Sequence, residues 1–171
     1  MNTAEIKNET LFVTGVFAAQ SNRVFEHLIE ASNTYASWCH KDCKSIRVDV
    51  QLKVGGCFNH HLSFPSGEES IVRTISQYEP FSKLVFKRPD SEYGRIQITA
   101  TEFEASQTRI ELIHQGPSPE AQLLKAIFAP TGVSIATEDY CLKTNQAAWL
   151  ATFDKLAELV DFGYDEPTIQ P

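Results

Sequence analysis

Basic residues are outnumbered in this chain: 15 Lys and Arg stand against 22 Asp and Glu, a formal net charge of −7. Nucleic acids and anionic membrane surfaces both need clustered cations, so neither is an expected partner. Long apolar runs are missing as well, and no stretch reaches the length of a membrane span. The opening Met1-Asn2-Thr3-Ala4-Glu5 lacks the basic and apolar regions of a secretory signal, so the expected compartment is the cytoplasm. Cysteine is limited to Cys39, Cys43, Cys57 and Cys141, with no C-x-x-C pair. Free thiols packed as small hydrophobes are the expected state. Cys39, His40, Cys43, Cys57, His60 and His61 do not have the spacing of a zinc site, because His60 and His61 face opposite sides of one strand. No metal and no cofactor is expected. Internal repeats, low-complexity tracts, a Gly-rich phosphate loop, G-x-S-x-G and H-E-x-x-H are all absent.

What is present is an ordinary globular composition, 42% hydrophobic and 22% charged over 171 residues. That length fits one domain, 1–171, with a core at about 11–161 and a loose tail over 162–171. The dominant element is the stretch from Tyr140 to Val160. Leu142, Gln146, Trp149, Leu150, Phe153, Leu156, Ala157 and Val160 share one helical stripe, opposite Ala151, Asp154, Lys155 and Glu158. Glu138 and Asp139 suit the first turn, and Gly163 suits the position just past the end. So broad an apolar face must lie across something equally apolar.

The middle of the chain supplies it. Leu11 to Ala18 reads as a strand, and Ser21 can cap a helix whose face is Val24, Phe25, Leu28 and Ile29. Asn33 to Trp38 reads as a second short helical turn. Strands follow at Ile46–Leu52, at Cys57–Phe64, and at about 69–78, 83–88, 94–104 and 107–115. Gly55-Gly56 and Pro65-Ser66-Gly67 are the turns. The expected class is α+β: a curved antiparallel sheet of about six to seven strands wrapped around a long C-terminal helix, with two short helices after the first strand. Helix and concave sheet can leave a cavity between them. Between Pro117 and Asp139, Ser118-Pro119-Glu120 is a helix start and Leu123, Leu124, Ile127 and Phe128 form a stripe. That segment is expected to act as a lid or, alternatively, as a dimer contact.

Val24-Phe25, Trp38, Val54-Gly55-Gly56-Cys57-Phe58, Tyr78-Glu79-Pro80 with Leu84-Val85-Phe86, the strand ending at His114, and Trp149 ahead of Phe153-Asp154-Lys155-Leu156 carry a resemblance. Together they resemble the START-like helix-grip (SRPBCC) superfamily, in the branch of the C-terminal domain of the activator of the Hsp90 ATPase. The resemblance covers roughly residues 11–161. It implies an internal hydrophobic cavity and no common catalytic residue, since members range from lipid carriers to cyclases to stress-response co-chaperones. Ala148-Trp149 stands where the family often has Gly-Trp, and Ala105-Ser106-Gln107 replaces its Gly-Gly turn.

Two histidines are the most informative polar residues. His60 and His114 each occupy the register that its strand reserves for inward, apolar side chains. Either they are core histidines paired with neighbouring backbone, or they meet the polar end of a ligand. Trp38, Phe58, Leu62, Phe64, Phe86, Trp149 and Phe153 are the expected apolar lining, and Gln146 is the polar residue on the helix stripe suited to orient a ligand. The expected function is non-catalytic binding of a small hydrophobic or amphipathic molecule by a monomer or homodimer. The alternatives are a chaperone-linked protein-interaction module and a cyclase- or hydrolase-type enzyme using the same cavity.

Overall fold

The computed structural model describes residues 2–8, 10–39, 44–64, 67–89, 94–104, 106–116 and 138–162. Nine strands and two helices are present among them. They are β1 (Thr3–Lys7), β2 (Thr10–Phe17), α1 (Ser21–Cys39), β3 (Lys44–Val50), β4 (Phe58–Phe64), β5 (Gly67–Ile71), β6 (Thr74–Glu79), β7 (Lys83–Lys87), β8 (Ile96–Phe103), β9 (Gln107–Gln115) and α2 (Glu138–Phe162). Six strands form one antiparallel sheet in the order β1-β2-β9-β8-β7-β6, and three form another, β3-β4-β5. The two sheets meet where β4 begins. There the amides of Phe58 and Ile75 donate to the carbonyls of Arg73 and Gly56, at 3.0 and 2.8 Å. Gly55 makes this junction possible: its φ of +80° suits a residue without Cβ, and its own amide donates to the Ile75 carbonyl.

Three expectations need correction. α1 is one continuous helix rather than two short ones, because no glycine or proline interrupts Ser21–Cys39 and the Ser32 hydroxyl donates back to the Ile29 carbonyl at 2.6 Å. The sheet starts before Leu11, since β1 pairs along β2 from Thr3↔Thr14 to Lys7↔Thr10. The strand expected over 69–78 is two strands broken at Val72-Arg73. Residues 117–137, and with them the expected lid or dimer helix, lie outside the described residues. So do His40 and Cys43.

α2 packs against α1, β1 and β2 through Ala148, Trp149, Phe153, Leu156 and Val160, all buried. Gly15 on β2 lets it come close. A Cβ there would sit 2.8 Å from a ring carbon of Phe153, which instead meets Phe17 edge-on at 5.8 Å and 67°. Gln146 ties the same helix to the sheet edge by donating to the Ala4 carbonyl at 3.1 Å, and Asn2 reaches Asp154 at 2.7 Å. At the far end, the Arg23 guanidinium of α1 donates to the Val160 carbonyl at 3.0 Å, a cation on a helix C-terminus. The start of α1 is capped differently from the expectation. Ser21 donates both its amide and its hydroxyl to the Glu102 carboxylate of β8, each at 2.8 Å, instead of accepting from its own helix. Those two bonds hold the Glu102 carboxyl below its ordinary range, the amide contributing most.

Candidate functional site

Strand alternation decides which polar groups enter the interior. On β4, Phe58 and His60 are buried while His61, between them and the next turn, faces outward. On β9, Thr108, Ile110, Leu112 and His114 are buried and alternate with Arg109 and Glu111, which are exposed. His60 and His114 therefore both project inward, in the register their neighbours dictate. Thr108 is accounted for structurally, because its hydroxyl donates to the Ala19 carbonyl at 2.7 Å and pins the entry to α1.

Each buried histidine sits in a relay whose direction is fixed by its partners. Indole N–H only donates, so Trp149 Nε1 gives its proton to His114 Nδ1 at 3.2 Å. The remaining proton of His114 is then on Nε2. That N–H is buried and meets no acceptor among the described residues. A guanidinium also only donates, so Arg73 Nη1 gives to His60 Nδ1 at 3.1 Å. His60 Nε2–H in turn donates to the Ser32 carbonyl of α1 at 3.2 Å. Burial most of all, and then the positive charge of Arg73, lowers both imidazole pKa values to about 3. For His60 the bond to Ser32 works weakly the other way, and the neighbouring His61 adds a small lowering effect. Both rings are neutral at physiological pH.

Arg73 is the residue sequence reading missed. It is 1% exposed, at the break between β5 and β6, where Asn59 Oδ1 accepts its amide at 3.1 Å and its carbonyl accepts from Phe58. Its guanidinium carbon stands 5.8 Å from the centre of the Phe86 ring, a cation–π distance. Phe86 in turn stacks on Phe58 at 4.5 Å with the planes 3° apart. The signal was available: Ile71, Arg73 and Ile75 are all buried, so the arginine keeps the inward register of two isoleucines across the strand break.

The structure thus brings Phe58, His60, Phe86, His114 and Trp149 into the interior together with Arg73. Phe153 is buried too, but its ring is engaged with Gly15 and Phe17. Gln146 lies on the same helix and donates its amide to the Ala4 carbonyl of β1. The side chains of Trp38, Leu62 and Phe64 lie outside the described residues. Cys57 is a free thiol, and no group of three or more potential metal ligands occurs among the described residues. No helix there is long and apolar enough to cross a membrane.

No known family profile and no characterised protein sequence matches the chain. Solved structures do. A protein of Nitrosomonas europaea superposes with a TM-score of 0.58 at 18% identity, covering 91% of this chain and 97% of that one. A protein of Mycobacterium smegmatis gives 0.57 at 16% identity, with 93% and 96% covered. The AHSA1-like protein of Aeromonas hydrophila gives 0.53 at 17% identity, with 88% and 92% covered. The fold of this chain is therefore the helix-grip fold of AHSA1-like proteins, an antiparallel sheet closed by its C-terminal helix.

Proposed function

We propose that this protein holds a small amphipathic molecule between the sheet and α2, with the apolar body against Phe58, Phe86 and Trp149 and the polar end at His114. The observation that carries the reading is the Nε2–H of His114. A buried donor without an acceptor costs about 1–3 kcal/mol, and a ligand oxygen would remove that cost. His60 has no such vacancy, since both its ring nitrogens are already engaged. A catalytic reading draws no support from the two rings. General base chemistry needs a ring lone pair, and Arg73 and Trp149 occupy the lone pairs of both histidines.

Titration with Nile red, a neutral apolar dye, tests the reading. Saturable binding at one site with quenching of tryptophan fluorescence is the expected result, and the absence of a saturable site would refute it. A second reading, the protein-interaction module, rests on Phe12 and Val16. They stand exposed on the outward face of β2, at 38% and 40%. Calorimetric titration with purified Hsp90 tests that alternative: heat with the wild type and none with Phe12→Glu would favour it.

A further inference from the structure

The outward face of the β3-β4-β5 sheet carries a second polar constellation, on the other side of β4 from His60. Cross-strand register sets it: Arg47 lies opposite His61, Asp49 opposite Asn59, and Ser70 opposite His61 from the β5 side. Residues directly opposite share a face with Cβ atoms about 4.5–5.5 Å apart, so short polar side chains there can meet. Asp49 Oδ2 stands 2.7 Å from His61 Nε2, and Ser70 Oγ stands 2.9 Å from His61 Nδ1. Arg47 Nε holds the second oxygen of the same carboxylate at 3.2 Å. We infer that Ser70 is a nucleophile with His61 as its base and Asp49 as the group that orients the base, and that they cleave small carboxylic esters by acyl transfer to Ser70.

The direction of the bonds carries the inference. A carboxylate only accepts, so His61 keeps its proton on Nε2 and gives it to Asp49. Nδ1 is left with a lone pair, which accepts the Ser70 hydroxyl proton. Nucleophilic catalysis needs this order: a hydroxyl within hydrogen-bond reach of a base, and the base fixed by a third group. Access follows from the fold, since Ser70 is exposed and the His61 side chain is 24% exposed. Asn59 shares the face, and because its Oδ1 accepts the Arg73 amide, its NH2 group is left as a donor for developing negative charge. In the first step Ser70 Oγ bonds to the carbonyl carbon and its proton passes to His61 Nδ1. The ester C–O bond then breaks, and that proton leaves with the departing alkoxide as an alcohol. Water next attacks the acyl-serine and gives a proton to His61, which returns it to Ser70 Oγ as the acid is released. An open sheet face has no long apolar channel, so short acyl groups are the class that fits.

Hydrolysis of p-nitrophenyl acetate, followed by acid quenching and peptide mass mapping, tests the inference. The wild type is expected to release p-nitrophenol in a burst matched by one acetyl group on Ser70. Ser70→Ala is expected to abolish the burst, and His61→Ala to lower kcat/KM about 100-fold. Asp49→Asn is expected to lower kcat and leave KM unchanged, as a positioning residue should. The three side chains lie on the outward face, so these variants should keep the fold. The inference is overturned by a wild type without a burst, by a burst that survives Ser70→Ala, or by an acetyl group found on lysine or His61 instead. Wild-type rates in His61→Ala or Asp49→Asn would overturn the relay as well. None of these outcomes bears on the binding reading, which concerns the opposite face of the sheet.

Discussion

His60 and His61 are neighbours on one strand and live in different chemistries. His60 is buried, donates to a backbone carbonyl, accepts from a guanidinium, and stays neutral down to a pKa of about 3. His61, one residue on, lies partly open between the Asp49 carboxylate at 2.7 Å and the Ser70 hydroxyl at 2.9 Å. Pleating alone makes this difference, since successive side chains leave a strand on opposite faces. The inner ring is surrounded by protein that cannot rearrange cheaply. The outer one is partly open to solvent. Polar residues of the same type therefore differ greatly in what their removal does, and His114 belongs with the inner case.

The sharpest break of that contrast is Trp149→Ala. It removes a fully buried indole and strips His114 Nδ1 of its donor, and a loss of about 3–5 kcal/mol in chemical denaturation is expected. Acid is the next lever. Above pH 6.5 the folded and unfolded chains both hold neutral His60 and His114, and the full stability is present. Between pH 6.5 and about 3 only the unfolded chain takes up these protons, so stability falls as pH falls. At pH 5 the loss is roughly 2 kcal/mol for each of the two histidines. Urea midpoints at pH 7 and 5 measure it, and His114→Gln should flatten the profile.

Gly15→Ala comes third. The new methyl meets Phe153 and Asn2, and the helix must shift outward, at a cost of about 1–2 kcal/mol readable as a lower melting temperature. The smallest effect belongs to the outer face. His61→Ala removes only solvent-accessible bonds and should stay within about 0.5 kcal/mol of the wild type. A larger loss there would erase the distinction between the two faces.

Much of this arrangement is written locally. The alternation along Phe58–Phe64 and Gln107–Gln115 was enough to turn His60 and His114 inward, and the stripe through Trp149 and Phe153 was enough to seat the last helix. Arg73 was harder to read, because a charge in an inward register looks like an interruption of a strand until its cross-strand partners are known. The Glu102 carboxylate that caps α1 is 81 positions away from Ser21, so no local pattern announces it. Gln146 illustrates the reverse. Its place on an apolar stripe is the same whether it orients a ligand or holds β1, and only the position of Ala4 distinguishes the two.

The ties between the first strand and the last helix also bear on the order in which the chain becomes a protein. Asn2 waits for Asp154, 152 positions later, and Ala4 waits for Gln146, 142 positions later. During synthesis the first strand leaves the ribosome long before the helix that secures it exists. It also forms a hairpin with β2, and an isolated hairpin is marginal in water. Such distant contacts are slow to form because the intervening chain must first be brought into place. β1 should therefore be translated well before α2 and acquire protection from hydrogen exchange late, with α2 acting as the step that secures it.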